Sequence, residues 1–205
     1  MKITKEKAEI IGLLCSEGCH INALSSYWEY SKNRKKYYFR KNRRSERVEF
    51  SNTNVKLLKH FQTLIFKEYG IKNNINFSSQ KVILIRKNIV QNIVKYSDYG
   101  YSKWKVPREV FNGSRNVQSA FIRGLYEGDG TKLNWRGKQP YIDFHMYNMK
   151  GLKKLIIILK RFEIDSKLYP TIYRLIIKGE SVRRFAKIIR PKYRPIVLQG
   201  NRRGT

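Results

Sequence analysis

FIRGLYEGDGTK (residues 121–132) reads as the last turns of a helix that runs out into a tight, acidic, glycine-flanked end. A fainter copy, IIGLLCSEGCHI, occupies residues 10–21. In each, a glycine is followed four positions on by a small residue, then by a carboxylate and another glycine: Gly12, Ser16, Glu17 and Gly18 in one, Gly124, Gly128, Asp129 and Gly130 in the other. Each pair is 112 positions apart (124 − 12, 129 − 17). A fixed offset of this kind marks an internal repeat.

A glycine and a small residue four apart share one helix face and let a second helix backbone approach closely. If the two helices pack side by side, Glu17 and Asp129 meet at their C-terminal ends. That end carries partial negative charge, and the acids repel each other as well. They read either as ordinary surface acids after helix caps or as a pair awaiting a counter-charge, for which a divalent ion with oxygen ligands is the simplest choice.

The charge balance favours the second alternative. The chain of 205 residues carries 44 Lys and Arg against 15 Asp and Glu, a formal +29. A compact body so basic calls for a polyanion, and nucleic acid is the natural one. Paired acids beside a polyanion point to metal-assisted phosphodiester hydrolysis, since Mg²⁺ held by one or two carboxylates takes its other ligands from water and phosphate. Membrane association has little support: the longest apolar runs, such as Leu155–Leu159, are far too short to span a bilayer, and MKITKEKAEI lacks the apolar core of a signal peptide. The expected setting is intracellular, cytoplasmic or organellar, acting on DNA. Cys15 and Cys19 have no second ligand pair to complete a metal site and read as reduced thiols near an interface.

The rest of the chain arranges itself around the two copies. Periodicity predicts a helix over 5–16, stopped by Gly18 as a glycine cap, and strand character from His20 to about Tyr30. Basic turns at 32–36 and 41–44 bracket Tyr37–Arg40, and a strand follows at 47–52. Asn54 caps an amphipathic helix over 55–69 that Gly70 ends. Strands at 74–77 and 81–86 and a helix near 88–95 complete the first half. The second half repeats the order: a helix capped by Ser114 and ended by Gly130, strands at 132–135 and 141–146 around the Arg136-Gly137-Lys138 turn, a helix over 149–162, strands at 166–169 and 171–178, and a helix near 180–189. A basic tail from Arg190 ends irregularly. Phe50, Asn54 and Lys56 align with Phe144, Asn148 and Lys150 at equal offsets. The expected fold is α+β: two pseudo-symmetric αββαββα halves, residues 1–96 and 115–205, joined by a linker at 97–114 and packed through the two repeat helices.

These motifs resemble those of the LAGLIDADG homing endonucleases. FIRGLYEGDG looks like the family's second motif and IIGLLCSEG like a degenerate first, with VPREVFNGSRNVQSA resembling the approach to the second. Two motifs in one chain match the monomeric, intron-encoded members. The resemblance implies that Glu17 and Asp129 bind the catalytic metal, Mg²⁺ or Mn²⁺, and that Glu127 and Cys15 stand at a non-catalytic position of the motif. It implies that Lys132 is poised near the scissile phosphates and that Asn52 helps position water, its aligned partner Met146 departing from that pattern. It further implies a β-saddle lying along double-stranded DNA, cut in both strands near the middle of a long asymmetric site to leave 3′ overhangs.

A two-stranded ribbon fits the major groove. Alternation turns Arg47, Glu49 and Ser51, with Tyr141, Asp143 and His145, toward the bases, while Phe50 and Phe144 pack on helices. Arg34, Lys35, Arg40, Arg43 and Arg44 in the first half, and Asn134, Arg136 and Lys138 in the second, reach bases or phosphates farther out. Two alternatives remain at the level of sequence: a maturase that binds host-intron RNA, and a DNA-binding protein that has lost cleavage.

Overall fold

The computed structural model describes residues 3–198; residues 199–205, the end of the basic tail, lie outside the described part. The first half runs α1 (Lys5–Glu17), β1 (Gly18–Ser31), β2 (Lys36–Ser51), α2 (Val55–Tyr69), β3 (Ile75–Asn76), β4 (Lys81–Leu84) and α3 (Lys87–Val94). After a short α4 (Arg108–Phe111), the second half runs α5 (Arg115–Asp129), β5 (Asn134–Arg136), β6 (Gln139–His145), α6 (Met149–Arg161), β7 (Ser166–Tyr169), β8 (Arg174–Lys178) and α7 (Glu180–Ile189). Each half holds one four-stranded antiparallel sheet, ordered β1-β2-β4-β3 and β5-β6-β8-β7. The αββαββα order expected of each half is the one observed.

α1 and α5 pack against each other along the glycine faces. A Cβ on Gly12 would stand 2.2 Å from the carbonyl oxygen of Phe121, and one on Gly124 would stand 2.3 Å from that of Glu9. Positions 9 and 121 are themselves 112 apart, so the contact is reciprocal and the pseudo-two-fold runs through it. Apolar side chains on both helices, among them Ile10, Leu13, Leu14, Phe121 and Leu125, are fully buried. Glu9 is the polar exception. Burial pushes its carboxyl up, but hydrogen bonds from His60 and Arg123, each 2.7 Å, together with their charges, hold it down at about 2.

Several helix signals act as read. Asn54 and Asn148 cap α2 and α6 through their side chains, accepting the backbone N–H of Lys56 and Gly151. Gly70 ends α2 with φ 67°. Gly18 and Gly130 do something else. Both are extended, at φ −95° and −70°, and lead straight into pairing with Phe50 and Phe144. A Cβ there would strike Leu14 or the Tyr126 ring. These glycines serve close packing where a helix turns into a strand, not a left-handed cap.

The expected turn at 41–44 is not a turn. β2 continues through it, and the irregularity is a bulge opposite Ser25–Tyr27, where Asn42 takes φ 50° and donates its N–H to Ser26 Oγ. A single turn at 32–35 remains, so β1 and β2 form one long hairpin that projects beyond the helices. Cross-strand pairs Trp28–Phe39 and Tyr30–Tyr37, with ring centroids 5.3 and 5.0 Å apart, stiffen it. In the second half, β8 starts at Arg174 because a 3₁₀ turn, Pro170–Ile172, and left-handed Tyr173 intervene. Segment 97–114 is packed in place, with Tyr99, Trp104, Val106 and Val110 buried and the Trp104 ring against Gly151. Among the described residues no helix is long and apolar enough to cross a membrane.

Candidate functional site

Because α1 and α5 pack through equivalent glycines, their last residues adjoin: a Cβ on Gly128 would lie 3.1 Å from Cγ of Glu17. Asp129 is half-buried, and its carboxyl is pushed up to about 7, first by burial and then by the charge of Glu17, with Arg194 pulling the other way. Burial also raises Glu17, against the charge of Arg194 and a 3.2 Å hydrogen bond from Asn52 Nδ2. Asn52 is held in turn by Asn54, whose N–H donates to its Oδ1 at 2.8 Å. Two acids whose ionisation is opposed by burial and by each other are a pair that a neighbouring positive charge would stabilise.

A cleft of about 580 Å³ opens beside Glu17, lined by Ser51, Asn52, Asn54 and Gln80 of the first half and by Glu127, Lys132, Tyr193 and Arg194 of the second. Lys132 is exposed and faces this cleft. The repeat-related position, 132 − 112, is His20, which is turned to Glu46 at 3.3 Å instead. Met146, aligned with Asn52, is buried and offers no polar group.

The sequence pattern places Arg194 in an irregular basic tail. In the structure its Nε donates to the Glu127 carbonyl at 2.8 Å and its Nη2 to that of Gly128 at 2.6 Å, at the C-terminal end of α5. Glu127 holds the segment there: its buried carboxylate accepts the backbone N–H groups of Lys192 and Tyr193. No local pattern in the sequence announces this, because the contact spans more than sixty residues.

The two sheets carry the other expected residues. Arg34 and Lys35 sit in the hairpin turn and Arg43 is exposed on β2; Arg40 is also exposed and pairs with Glu29 at 2.7 Å. Asn134, Arg136 and Lys138 are exposed around the Gly137 turn; Ser51 and Tyr141 are half-buried and His145 is exposed. Three placements differ from expectation. Strict alternation from Phe50 and Val48 puts Arg44 on the helix-side face, where its Nε bonds Asn22, and not with Arg43, Arg47 and Glu49. Glu49 lies on the outward face but is covered, accepting Arg47 Nε at 2.7 Å and Lys81 Nζ at 2.9 Å. Asp143 is 1 % exposed and faces Arg174 at 3.7 Å. In the free chain both acids face neighbouring cations, Arg47 and Lys81 for Glu49 and Arg174 for Asp143. β4 and β8 add further cations to these faces, Lys81 opposite Ser51, Arg174 opposite His145 and Lys178 opposite Tyr141; the alternation of 174–178 is the sequence signal for the last two.

Cys15 is buried beside Ser97, its thiol pushed up to about 12 by burial, while Cys19 is exposed; both are unbridged. No cluster of three or more His, Cys, Asp or Glu among the described residues could hold a metal. Any ion at the helix ends must rely on two carboxylates with carbonyl, water or phosphate oxygen.

Residues 116–190 match the LAGLIDADG-like domain family. The whole chain also superposes on solved LAGLIDADG structures. The chain has the LAGLIDADG fold, and its second half is similar to the LAGLIDADG-like domain family. Mesophilic variants of the homing endonuclease I-DmoI share 16% identity over 95% of both chains, at a TM-score of 0.59. I-DmoI in complex with DNA and Mn shares 14% over 92% of this chain and 98% of that one, at 0.55. The N-terminal LAGLIDADG domain of DUF199/WhiA shares 12% over 94% and 87%, at 0.51. No curated protein matches the sequence. Since α1 and α5 carry one motif each, both LAGLIDADG helices lie in a single chain, and their acids end side by side.

Proposed function

We propose that the chain is a monomeric, site-specific DNA endonuclease that hydrolyses both strands of a long asymmetric duplex site with Mg²⁺ or Mn²⁺. The observation that carries this reading is the convergence of Glu17 and Asp129 at the ends of two closely packed helices, with Glu17 lining a cleft that also holds Asn52, Lys132 and Arg194. Fold likeness alone does not choose, because both homing endonucleases and a DUF199/WhiA domain share it.

The donor set suits a hard divalent ion. Two carboxylates, one of them holding its proton to about pH 7, gain most from a cation that takes oxygen ligands. Glu17 and Asp129 would hold it, and when bound it supplies Lewis acidity toward a phosphodiester oxygen and a more acidic water. Asn52 fixes the orientation of the Glu17 carboxylate. Lys132, exposed at the cleft wall, is placed to offset charge that develops on the phosphate. Arg34, Lys35, Arg43, Arg136 and Lys138, exposed on the sheets and their turns, supply the salt-sensitive grip on the backbone.

The test begins with a duplex chosen from a randomised pool by binding in Ca²⁺. Wild-type protein should cut that duplex in both strands when Mg²⁺ is supplied. Glu17→Gln and Asp129→Asn should bind it as wild type does and leave it intact. Tight binding without cutting by the wild-type protein would favour the reading of a DNA-binding protein that has lost cleavage.

A further inference from the structure

We propose that Arg194, carried on the segment after α7, is a phosphate-contacting residue of the cleft, supplied to the site by the C-terminal segment alone. The inference rests on the endonuclease reading of the same site and adds a residue to it.

The segment is fixed in place by the core. Arg123 Nη1 donates to the carbonyl of Ile189 at 3.3 Å. Glu127, 2 % exposed, spends its carboxylate on the backbone N–H groups of residues 192 and 193. The Tyr193 ring packs on His60 with centroids 5.1 Å apart, and His60 is itself bonded to Glu9. A buried carboxylate devoted to two N–H groups sets the register of this segment, and that register delivers residue 194 to the end of α5.

The guanidinium is then committed only in part. Nε and Nη2 each donate to one carbonyl, and the remaining N–H groups have no ion-pair partner within 4.0 Å among the described residues. A helix-end cap alone could be made by any single donor. Here a planar fork is held at one edge with its other edge free, in a cleft whose only other cationic lining residue among the described residues is Lys132. A phosphodiester approaching Glu17 and Asp129 is repelled by these acids as they ionise. The cation beside them that is both rigidly held and shaped for phosphate oxygens is Arg194.

Arg194→Met and Arg194→Lys would be compared with wild type, and Arg190→Met serves as a control on an exposed arginine of the same segment. Thermal melts establish that each variant folds. On the selected duplex without Mg²⁺, the slope of log K against log salt should fall by about 0.9 in Arg194→Met, the loss of one phosphate contact. It should stay unchanged in Arg194→Lys and Arg190→Met. In Mg²⁺, single-turnover cutting should drop at least tenfold in Arg194→Met and recover in part in Arg194→Lys. An unchanged salt slope in folded Arg194→Met overturns the proposal and reduces Arg194 to a helix cap. Because that slope is read from binding, it decides the matter even if the wild-type protein cuts nothing, an outcome that would instead overturn the endonuclease reading.

Discussion

The two halves of this chain agree at the centre and part company toward the edges. At the centre, Gly12 meets the carbonyl of Phe121 and Gly124 that of Glu9, while Gly18 and Gly130 pass into pairing with Phe50 and Phe144. Away from it, β1 and β2 span 14 and 16 residues against 3 and 7 for β5 and β6. The cleft mixes the halves unequally: the neutral Asn52 comes from the first, both cations from the second. The centre tolerates little change because two backbones touch there. The edges are free to differ because each needs only to keep its own sheet.

The largest effects test the shared centre. Gly12→Val and Gly124→Val each drive a branched side chain into a facing backbone carbonyl, and each should destabilise the fold by about 3 kcal/mol or more, measured by denaturant unfolding. The two costs should be similar. A large cost at one position with near-neutrality at the other breaks the claim that the pseudo-two-fold runs through this contact.

The next prediction tests the edge. Replacing residues 27–40 by a two-residue turn removes Lys32, Arg34, Lys35, Lys36 and Arg40 and leaves the core untouched, since nearly all of that segment is exposed. Stability should change little. The protected stretch of DNA should shorten on one side only, and the salt slope of binding should fall by about 0.9 for each of these cations that touches phosphate. Symmetric shortening of the footprint would mean that the long hairpin does not set the asymmetry.

A third prediction concerns the acids where the halves meet. Asp129 holds its proton to about pH 7 when folded, against an ordinary 3.8. Between those values the folded chain keeps a proton that the unfolded chain has released, so stability falls as pH rises from about 4 to 7 and stays lower above. Asp129→Asn should therefore be more stable than metal-free wild type at pH 8, by about 1–2 kcal/mol once solvent screening is allowed for, and equal to it below pH 4. Equal stability at both pH values would show that neither burial nor the Glu17 charge raises the Asp129 carboxyl.

How much of this could be read from the sequence follows the same division. The repeat made the element order and the convergence of Glu17 with Asp129 legible, because helix faces and fixed offsets are local patterns. The Asn42 bulge was not legible: a bulge is a mismatch between two strands, and the basic run at 41–44 has the composition of a turn. Gly18 and Gly130 have the position of helix caps, and only the neighbouring Leu14 and Tyr126 reveal that their missing side chains make room. Arg194 depends on Glu127, 67 residues earlier, whose carbonyl accepts its Nε and whose carboxylate fixes residues 192 and 193, a contact that no window of sequence contains.

The smallest effect is the most discriminating, because it concerns one position in two settings. Glu49 and Asp143 precede the aligned Phe50 and Phe144 and occupy the same place in their sheets. Glu49 has two cations in hydrogen-bond contact, Lys81 and Arg47, and these hold its carboxyl below the ordinary range. Asp143 is driven the other way by burial, with Arg174 only at 3.7 Å and its Oδ1 without a partner among the described residues. Glu49→Gln should cost about 1 kcal/mol at pH 7, because it weakens two charge-assisted hydrogen bonds. That cost should fade as pH drops through the lowered Glu49 value, where wild type loses the same charge. Asp143→Asn should be neutral or slightly stabilising at pH 7, since it relieves a buried, incompletely paired charge. Equal costs at the two positions would mean that the outward faces of the sheets are electrostatically alike, and the asymmetry would then reside in the hairpin and the C-terminal segment alone.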